Sequence, residues 1–101
     1  MKNDGTYFLN YGFNVKFCPP TVYPFEWEGI PFFTHRVAGK VINNEVEYSK
    51  LFWQVTHKDT GMGLEIENTM KIADAKNQAI GKLDKLGIDK VKEVIRKVMP
   101  A

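Results

Sequence analysis

Cysteine is almost absent from this sequence, because Cys18 is the only one among 101 residues. A single cysteine excludes an internal disulfide. Long apolar runs are missing as well, and no segment approaches the roughly 20 apolar residues that a membrane-spanning helix requires. Residues 1–7 lack the apolar stretch of a signal peptide. We therefore expect a cytoplasmic protein, with no membrane partner, that folds as a single domain over residues 1–101.

A strong charge of one sign is also lacking. The 14 basic and 12 acidic side chains give a formal net charge of +2, whereas dedicated nucleic-acid-binding proteins usually show a clear basic excess. The charge is nevertheless uneven along the chain. Residues 68–101 hold eight basic side chains (Lys71, Lys76, Lys82, Lys85, Lys90, Lys92, Arg96 and Lys97) against four acidic ones (Asp74, Asp84, Asp89 and Glu93).

The first part of the chain has the pattern of β-strands. Between Tyr7 and Phe17 the apolar residues fall mainly on odd positions, and a period of two is typical of a half-buried strand. Residues 19–31 contain four prolines interleaved with aromatic side chains. Because proline cannot donate a hydrogen bond to a sheet, this second segment predicts an irregular loop with apolar anchors.

A long hairpin follows the loop. Asn43 and Asn44 tolerate the positive φ of a tight turn, and they separate two strand-like segments within residues 32–57. A two-residue turn at this point places Val41 opposite Val46.

The pairing of this hairpin requires an irregularity further along. Strict continuation mixes apolar and polar residues on each face, whereas one extra residue restores the pattern. We therefore predict a β-bulge at Gly39, with His35 opposite Leu51 and Phe33 opposite Trp53.

A second hairpin has its turn at residues 58–61. A four-residue turn there places Val55 opposite Leu64 and Trp53 opposite Ile66. A three-residue turn would place Val55 opposite a charged residue, so the longer turn is favoured.

Two helices are predicted after the strands, over about residues 70–86 and 90–99. Gly87 suits the residue after the first helix, and Asp89 suits the cap of the second. Their apolar stripes are Ile72, Ala75, Ala79, Leu83 and Leu86, with Ile80 at the edge, and then Val91, Val94, Ile95 and Val98. The predicted fold class is α+β: an antiparallel sheet of about four strands over residues 7–67, with both helices packed on one face.

The second face of the predicted sheet carries aromatic and charged side chains together. Its candidate partner-binding residues are Phe32, Arg36, Lys50 and Phe52. Aromatic residues and arginine are enriched in protein interfaces, so this patch predicts a protein partner or a homodimer. The alternative is that the aromatic loop 19–31 folds over the same face.

The lysine-rich helices offer a second interaction surface. Lys76, Lys82 and Lys85 lie mostly off the apolar stripes and are the candidate residues for binding nucleic acid. The order of three strands and then a helix with the sequence of residues 75–80 is similar to the end of a double-stranded-RNA-binding domain. The alternative is an ordinary solvated surface, because acidic residues are interspersed.

Residue types that carry catalysis or bind metals are few. Asp59-Thr60-Gly61 matches the triplet of aspartic proteases, but the strands and helices around it differ, so a turn is favoured. His35 and His57 are both predicted on the apolar face, where two ligands are too few for a metal site. Cys18 is interpreted as a packing residue.

The sequence therefore predicts a protein that is not an enzyme and has no cofactor or metal. The favoured function is a small binding or accessory protein that acts through protein–protein interaction, of the type found in phages and mobile elements. The alternative is a nucleic-acid-binding module that uses the C-terminal helices.

Overall fold

Four antiparallel strands form the central sheet, and two C-terminal helices pack on one of its faces, which confirms the predicted α+β class. The computed structural model describes residues 1–10 and 16–98. The elements in chain order are β1 Leu9–Asn10, β2 Lys16–Phe17, β3 Val22–Trp27, β4 Ile30–Ile42, β5 Glu45–His57, β6 Gly63–Leu64, α1 Ile72–Leu86 and α2 Ile88–Val98. The sheet order is β3-β4-β5-β6, and β1 pairs with β2 in a separate small sheet.

The prediction of one strand from Tyr7 to Phe17 is wrong, because the two ends of this segment pair with each other. Leu9 lies opposite Phe17, and Asn10 lies opposite Lys16. A period-two pattern is equally compatible with one strand or with two short antiparallel strands, so the sequence alone did not distinguish them. The middle of the predicted strand, residues 11–15, lies outside the described residues.

Residues 19–31 do not form an irregular loop, since most of them belong to β3 and the start of β4. Pro24 is tolerated because β3 is the first strand in the sheet order, where one side needs no ladder partner. The turn from β3 to β4 consists of Glu28 and Gly29, with φ of 51° and 77°. Positive φ at both turn residues is the geometry of a tight type I′ hairpin.

The turn of the long β4–β5 hairpin is confirmed. Asn43 and Asn44 both have positive φ, and Val41 lies opposite Val46. The predicted bulge is present too, because three steps along β4, from Val41 back to Ala38, correspond to two steps along β5, from Val46 to Tyr48.

A second irregularity, which was not predicted, lies in β5 after Tyr48. Five steps along β5 to Trp53 correspond to only two along β4, from Ala38 to Arg36. Ser49 Oγ accepts hydrogen bonds from the backbone N–H groups of Leu51 and Phe52, at 3.1 and 3.0 Å. A side-chain acceptor thus replaces the sheet partner of these two groups, which permits the extra residues.

This second irregularity changes the pairing of everything that follows. Trp53 lies opposite Arg36 rather than Phe33, and His35 lies opposite Gln54 rather than Leu51. Since neighbouring residues of a strand point to opposite faces, the predicted face of each β4 residue in this region is reversed relative to β5.

The turn at residues 58–61 is confirmed, with Val55 opposite Leu64. The ladder then ends, because β6 contains only two residues. Trp53 does not pair with Ile66 in the ladder, and its backbone N–H instead donates to the Thr69 carbonyl at 3.0 Å.

Each face of the sheet has its own core. On the helix face the buried residues are Trp27, Ile30, Phe32, Trp53, Val55, Ala75, Ala79, Leu83 and Val91. On the other face Phe33 is buried with Leu9 and Val22, and the ring of Tyr7 lies 5.1 Å from that of Phe33. The N-terminal segment therefore covers the face that we had expected either to be open or to be covered by residues 19–31.

The helices begin and end close to the predicted positions. Gly87 follows α1 with φ of 86°, and its N–H donates to the Leu83 carbonyl at 2.9 Å. Asp89 lies inside the first turn of α2 rather than before it, because α2 begins at Ile88. No helix among the described residues is long and apolar enough to cross a membrane.

Trp53 is the residue through which we test this core. It is buried on the helix face, and the ring of Tyr23 meets it edge-on at 5.6 Å between centroids. Trp53→Ala should lower the free energy of unfolding by roughly 3–5 kcal/mol, because it empties a large packed volume. Leu51→Ala is the control, since Leu51 is 57% exposed on the same strand, and it should cost less than about 1 kcal/mol. Equal losses in urea unfolding would contradict this assignment.

Candidate binding groove

The four predicted partner-binding residues do not form one patch. Phe32 is only 3% exposed and belongs to the core beneath the helices, so the expectation that it is exposed is wrong. The Arg36 guanidinium lies on the same face, 3.9 Å from the centroid of the Trp53 ring. Phe52 is half-buried, and the alternation along β5 places it on the opposite face from Trp53. Lys50 is exposed in the irregular stretch of β5.

The three candidate nucleic-acid-binding lysines are spread around α1. At about 100° per residue, Lys76 lies about 120° from Lys82 and 180° from Lys85. Lys82 Nζ donates to the Glu65 carbonyl at 2.7 Å, and Lys76 Nζ lies 5.5 Å from the centroid of the Phe25 ring. Lys85 is exposed in the last turn. Lys76 therefore lies on a different side of α1 from Lys82 and Lys85, and the three lysines do not form a single cluster.

The two histidines lie on opposite faces of the sheet, so the prediction that they share a face is wrong. His35 is buried with Phe33, whereas the ring of His57 lies 5.3 Å from that of Phe32 in the helix-side core. Among residues 1–10 and 16–98 no group of three or more possible metal ligands comes together. Cys18 is exposed, so it is not the packing residue that we expected.

His35 is held by two hydrogen bonds. Its Nδ1–H donates to the Arg36 carbonyl at 2.7 Å, which leaves Nε2 to accept from the Thr56 hydroxyl at 2.7 Å. Burial in the sheet lowers the pKa of His35 from 6.5 to about 4, because a charged ring would lose its hydration. His35 is therefore a neutral structural side chain at physiological pH.

An apolar groove opens between α2, the end of α1 and the turn that precedes β6. It encloses about 160 Å³. Its lining residues are Phe32, His57, Thr60, Met62, Gly63, Leu64, Leu83, Leu86, Val91, Val94, Ile95 and Val98. An apolar cavity of about 150 Å³ is large enough for benzene, so the groove has room for one side chain of a partner.

The exposed walls of this groove are unusually apolar. Val94 and Val98 lie one turn apart on α2 and are 48% and 40% exposed. Leu86 and Met62 face them as exposed residues of α1 and the turn. A single exposed apolar side chain is ordinary, whereas several around one concavity make it a candidate binding surface.

His57 and Thr60 are the polar residues that line the groove. His57 is only 6% exposed. Its Nδ1 lies 2.8 Å from Thr60 Oγ1 and accepts a hydrogen bond from the Thr60 backbone N–H at 3.3 Å. Thr60 Oγ1 in turn accepts from the backbone N–H of Met62 at 3.2 Å. The Asp59-Thr60-Gly61 segment therefore is a turn, as predicted, and its threonine orients a histidine.

Sequence reasoning missed this groove, although one signal was present. The predicted stripe of α2 contains four apolar residues, but the fold buries Val91 fully and Ile95 partly. The apolar stripe of α2 is wider than the surface that α2 buries against the core, so some of its apolar residues stay exposed. Nothing in the sequence showed how far α2 lies across the sheet, so Val94 and Val98 were assigned to the core.

The chain was compared with protein families, curated proteins and solved structures. No family model matches the chain, and no similar protein was found among curated proteins or among solved structures.

The buried His35 predicts an acid-sensitive fold. Its pKa is about 4 in the folded protein and 6.5 when exposed, so between these values the unfolded chain binds more protons. The free energy of unfolding should therefore fall as pH drops from 6.5 to 4, by roughly 3 kcal/mol at about 1.4 kcal/mol for each pH unit.

Urea unfolding at several pH values measures this slope. His35→Leu should be less stable at pH 7 but should show a flatter dependence between pH 6.5 and 4. A slope that is unchanged by His35→Leu would show that other groups cause the acid sensitivity.

Proposed function

We propose that this chain is a small, non-enzymatic binding protein that captures a partner protein through the groove beside α2. The observation that carries this proposal is the concentration of exposed apolar side chains around one cavity, with Val94 and Val98 forming its outer wall. A partner that inserts one apolar side chain would bury surface that the isolated chain leaves in water. Burial of apolar surface contributes about 25 cal/mol per Å², so one anchoring side chain is a substantial part of such an interface.

The charge around the groove indicates the kind of segment that fits. Lys90 and Lys97 flank the exposed side of α2, and Glu93 between them forms ion pairs with both, at 3.9 and 3.2 Å. One carboxylate facing two ammonium groups leaves a positive excess on this side of α2. We therefore expect the partner segment to carry acidic residues beside its apolar anchor, since complementary charge guides association and orientation.

The sequence also favoured a protein-binding role, but we now place the binding site in the groove beside α2 instead of on the patch of Phe32, Arg36, Lys50 and Phe52. A cytoplasmic accessory role of the phage or mobile-element type remains the setting that we propose. The groove supports protein binding better than nucleic-acid binding, because its lining is apolar and two of the candidate lysines, Lys76 and Lys82, already contact other parts of the chain.

Selection from a displayed peptide library tests the proposal and identifies the segment directly. Peptides that bind the intact chain should share an apolar residue with acidic neighbours. Val94→Asp should weaken their binding by about tenfold or more, because it places a charge against the anchor. The melting temperature should change little, since Val94 is largely exposed.

Leu51→Asp is the matched control, because Leu51 is similarly exposed on another part of the surface, and it should leave peptide binding unchanged. If Val94→Asp leaves the affinity of the selected peptides unchanged, the groove is not their binding site. Pull-down from the native host, with and without nuclease, distinguishes protein binding from the alternative of nucleic-acid binding. Loss of the partners on nuclease treatment, together with weaker binding after charge reversal at Lys82 and Lys85, would favour nucleic acid.

A further inference from the structure

The floor of the groove contains a hydrogen-bond donor that the chain itself leaves unused. His57 Nδ1 lies 2.8 Å from the Thr60 hydroxyl oxygen and 3.3 Å from the Thr60 backbone nitrogen. Because a backbone N–H can only donate, we assign Nδ1 as the acceptor. The ring proton of the neutral histidine is therefore on Nε2. Among the described residues Nε2 has no hydrogen-bond partner, although His57 is buried, with only 6% of the residue exposed.

His57 Nε2 is open to solvent, and the cavity that His57 lines is the groove. Every buried side-chain nitrogen and oxygen of the described residues has a hydrogen-bond partner. Because Nε2 has no partner, it is not one of these buried atoms and is not sealed inside the core. The cavity that His57 lines is the same one that Val94 and Val98 border. An unused N–H at the base of an apolar cavity selects ligands that present an acceptor there, since leaving it unpaired on binding costs free energy.

We propose that His57 Nε2–H donates a hydrogen bond to a main-chain carbonyl oxygen of the partner segment, next to the apolar side chain that fills the groove. This inference rests on the proposed function and names the polar contact that positions the segment. A residue's own carbonyl lies within a few ångströms of its side chain, so one partner residue supplies both the apolar anchor and the acceptor.

A neutral carbonyl fits this position better than a carboxylate. Burial lowers the pKa of His57, against the opposing effect of the Asp59 carboxylate, so the ring is held neutral. A neutral donor satisfies a carbonyl at little cost, whereas burying a carboxylate in an apolar groove carries a large desolvation penalty. The acidic residues that we expect in the partner belong at the rim, in water, near Lys90 and Lys97.

The test uses two small probes of the same shape on the unmodified protein. The probes are 4-methylpentan-2-one and 2,4-dimethylpentane, which differ by a carbonyl oxygen in place of a methyl group. Nuclear magnetic resonance of the free protein should show the His57 proton on Nε2. Both probes should shift the methyl signals of Val94 and Val98, but only the ketone should shift the Nε2–H signal.

A peptide probe and two variants extend the test. N-acetyl-leucine-N′-methylamide, which presents main-chain carbonyls, should shift the same signals as the ketone. His57→Gln keeps an N–H near the position of Nε2 and should retain the affinity for the ketone relative to the alkane, whereas His57→Phe should lower this ratio by about tenfold. Far-ultraviolet circular dichroism checks that each variant is folded, and the probe comparison on the unmodified chain does not depend on them.

The outcomes separate the two proposals. If both probes shift the valine methyl signals but the ketone leaves Nε2–H unchanged, or if the proton lies on Nδ1, the hydrogen bond is disproved while the groove remains a binding site. If neither probe nor any selected peptide shifts the valine signals, the groove itself is not the site, and both proposals are overturned.

Discussion

The pairing of β4 with β5 is the constraint on which the rest of this structure depends. These two strands contribute side chains to both faces of the sheet, so their register decides which residues meet the helices and which meet the N-terminal segment. The Ser49 hydroxyl, by accepting two backbone N–H groups, permits the extra residues of β5 that set this register. A single side chain in an exposed part of the hairpin thereby influences the composition of two cores.

That register also explains why the two histidines differ. His35 lies on the face covered by the N-terminal segment, where both of its ring nitrogens find partners. His57 lies on the helix face at the end of β5, where Nδ1 contacts Thr60 and the residue lines the groove. The same residue type, at two positions of one hairpin, therefore serves as a buried structural group and as a candidate recognition group. We assign the ring proton to Nδ1 in His35 and to Nε2 in His57 from the hydrogen bonds that each neighbour can offer.

The groove arises because α2 buries only part of its apolar stripe against the core. α1 packs across the sheet through small residues, Ala75 and Ala79, which bring it close. α2 begins directly after Gly87 and contacts the core through Val91 and, partly, Ile95. The rest of its stripe, Val94 and Val98, then faces a space that neither the sheet nor α1 fills. A binding role is proposed on this incomplete burial, since a completely buried helix would offer a partner no apolar surface.

The sequence by itself determined the local features of this protein. The Asn43-Asn44 turn, the bulge beside Gly39, the turn at 58–61 and the end of α1 at Gly87 were predicted, because each depends on backbone preferences and alternation within a few residues. The tertiary structure decided which segments meet across the chain. An unpredicted irregularity at Ser49 reversed the faces of β4, which buried Phe32 and separated it from Phe52. The position of α2 relative to β6 left the groove open, and only the tertiary structure decided it, because contact between distant segments depends on the packing of the whole core and not on local pattern.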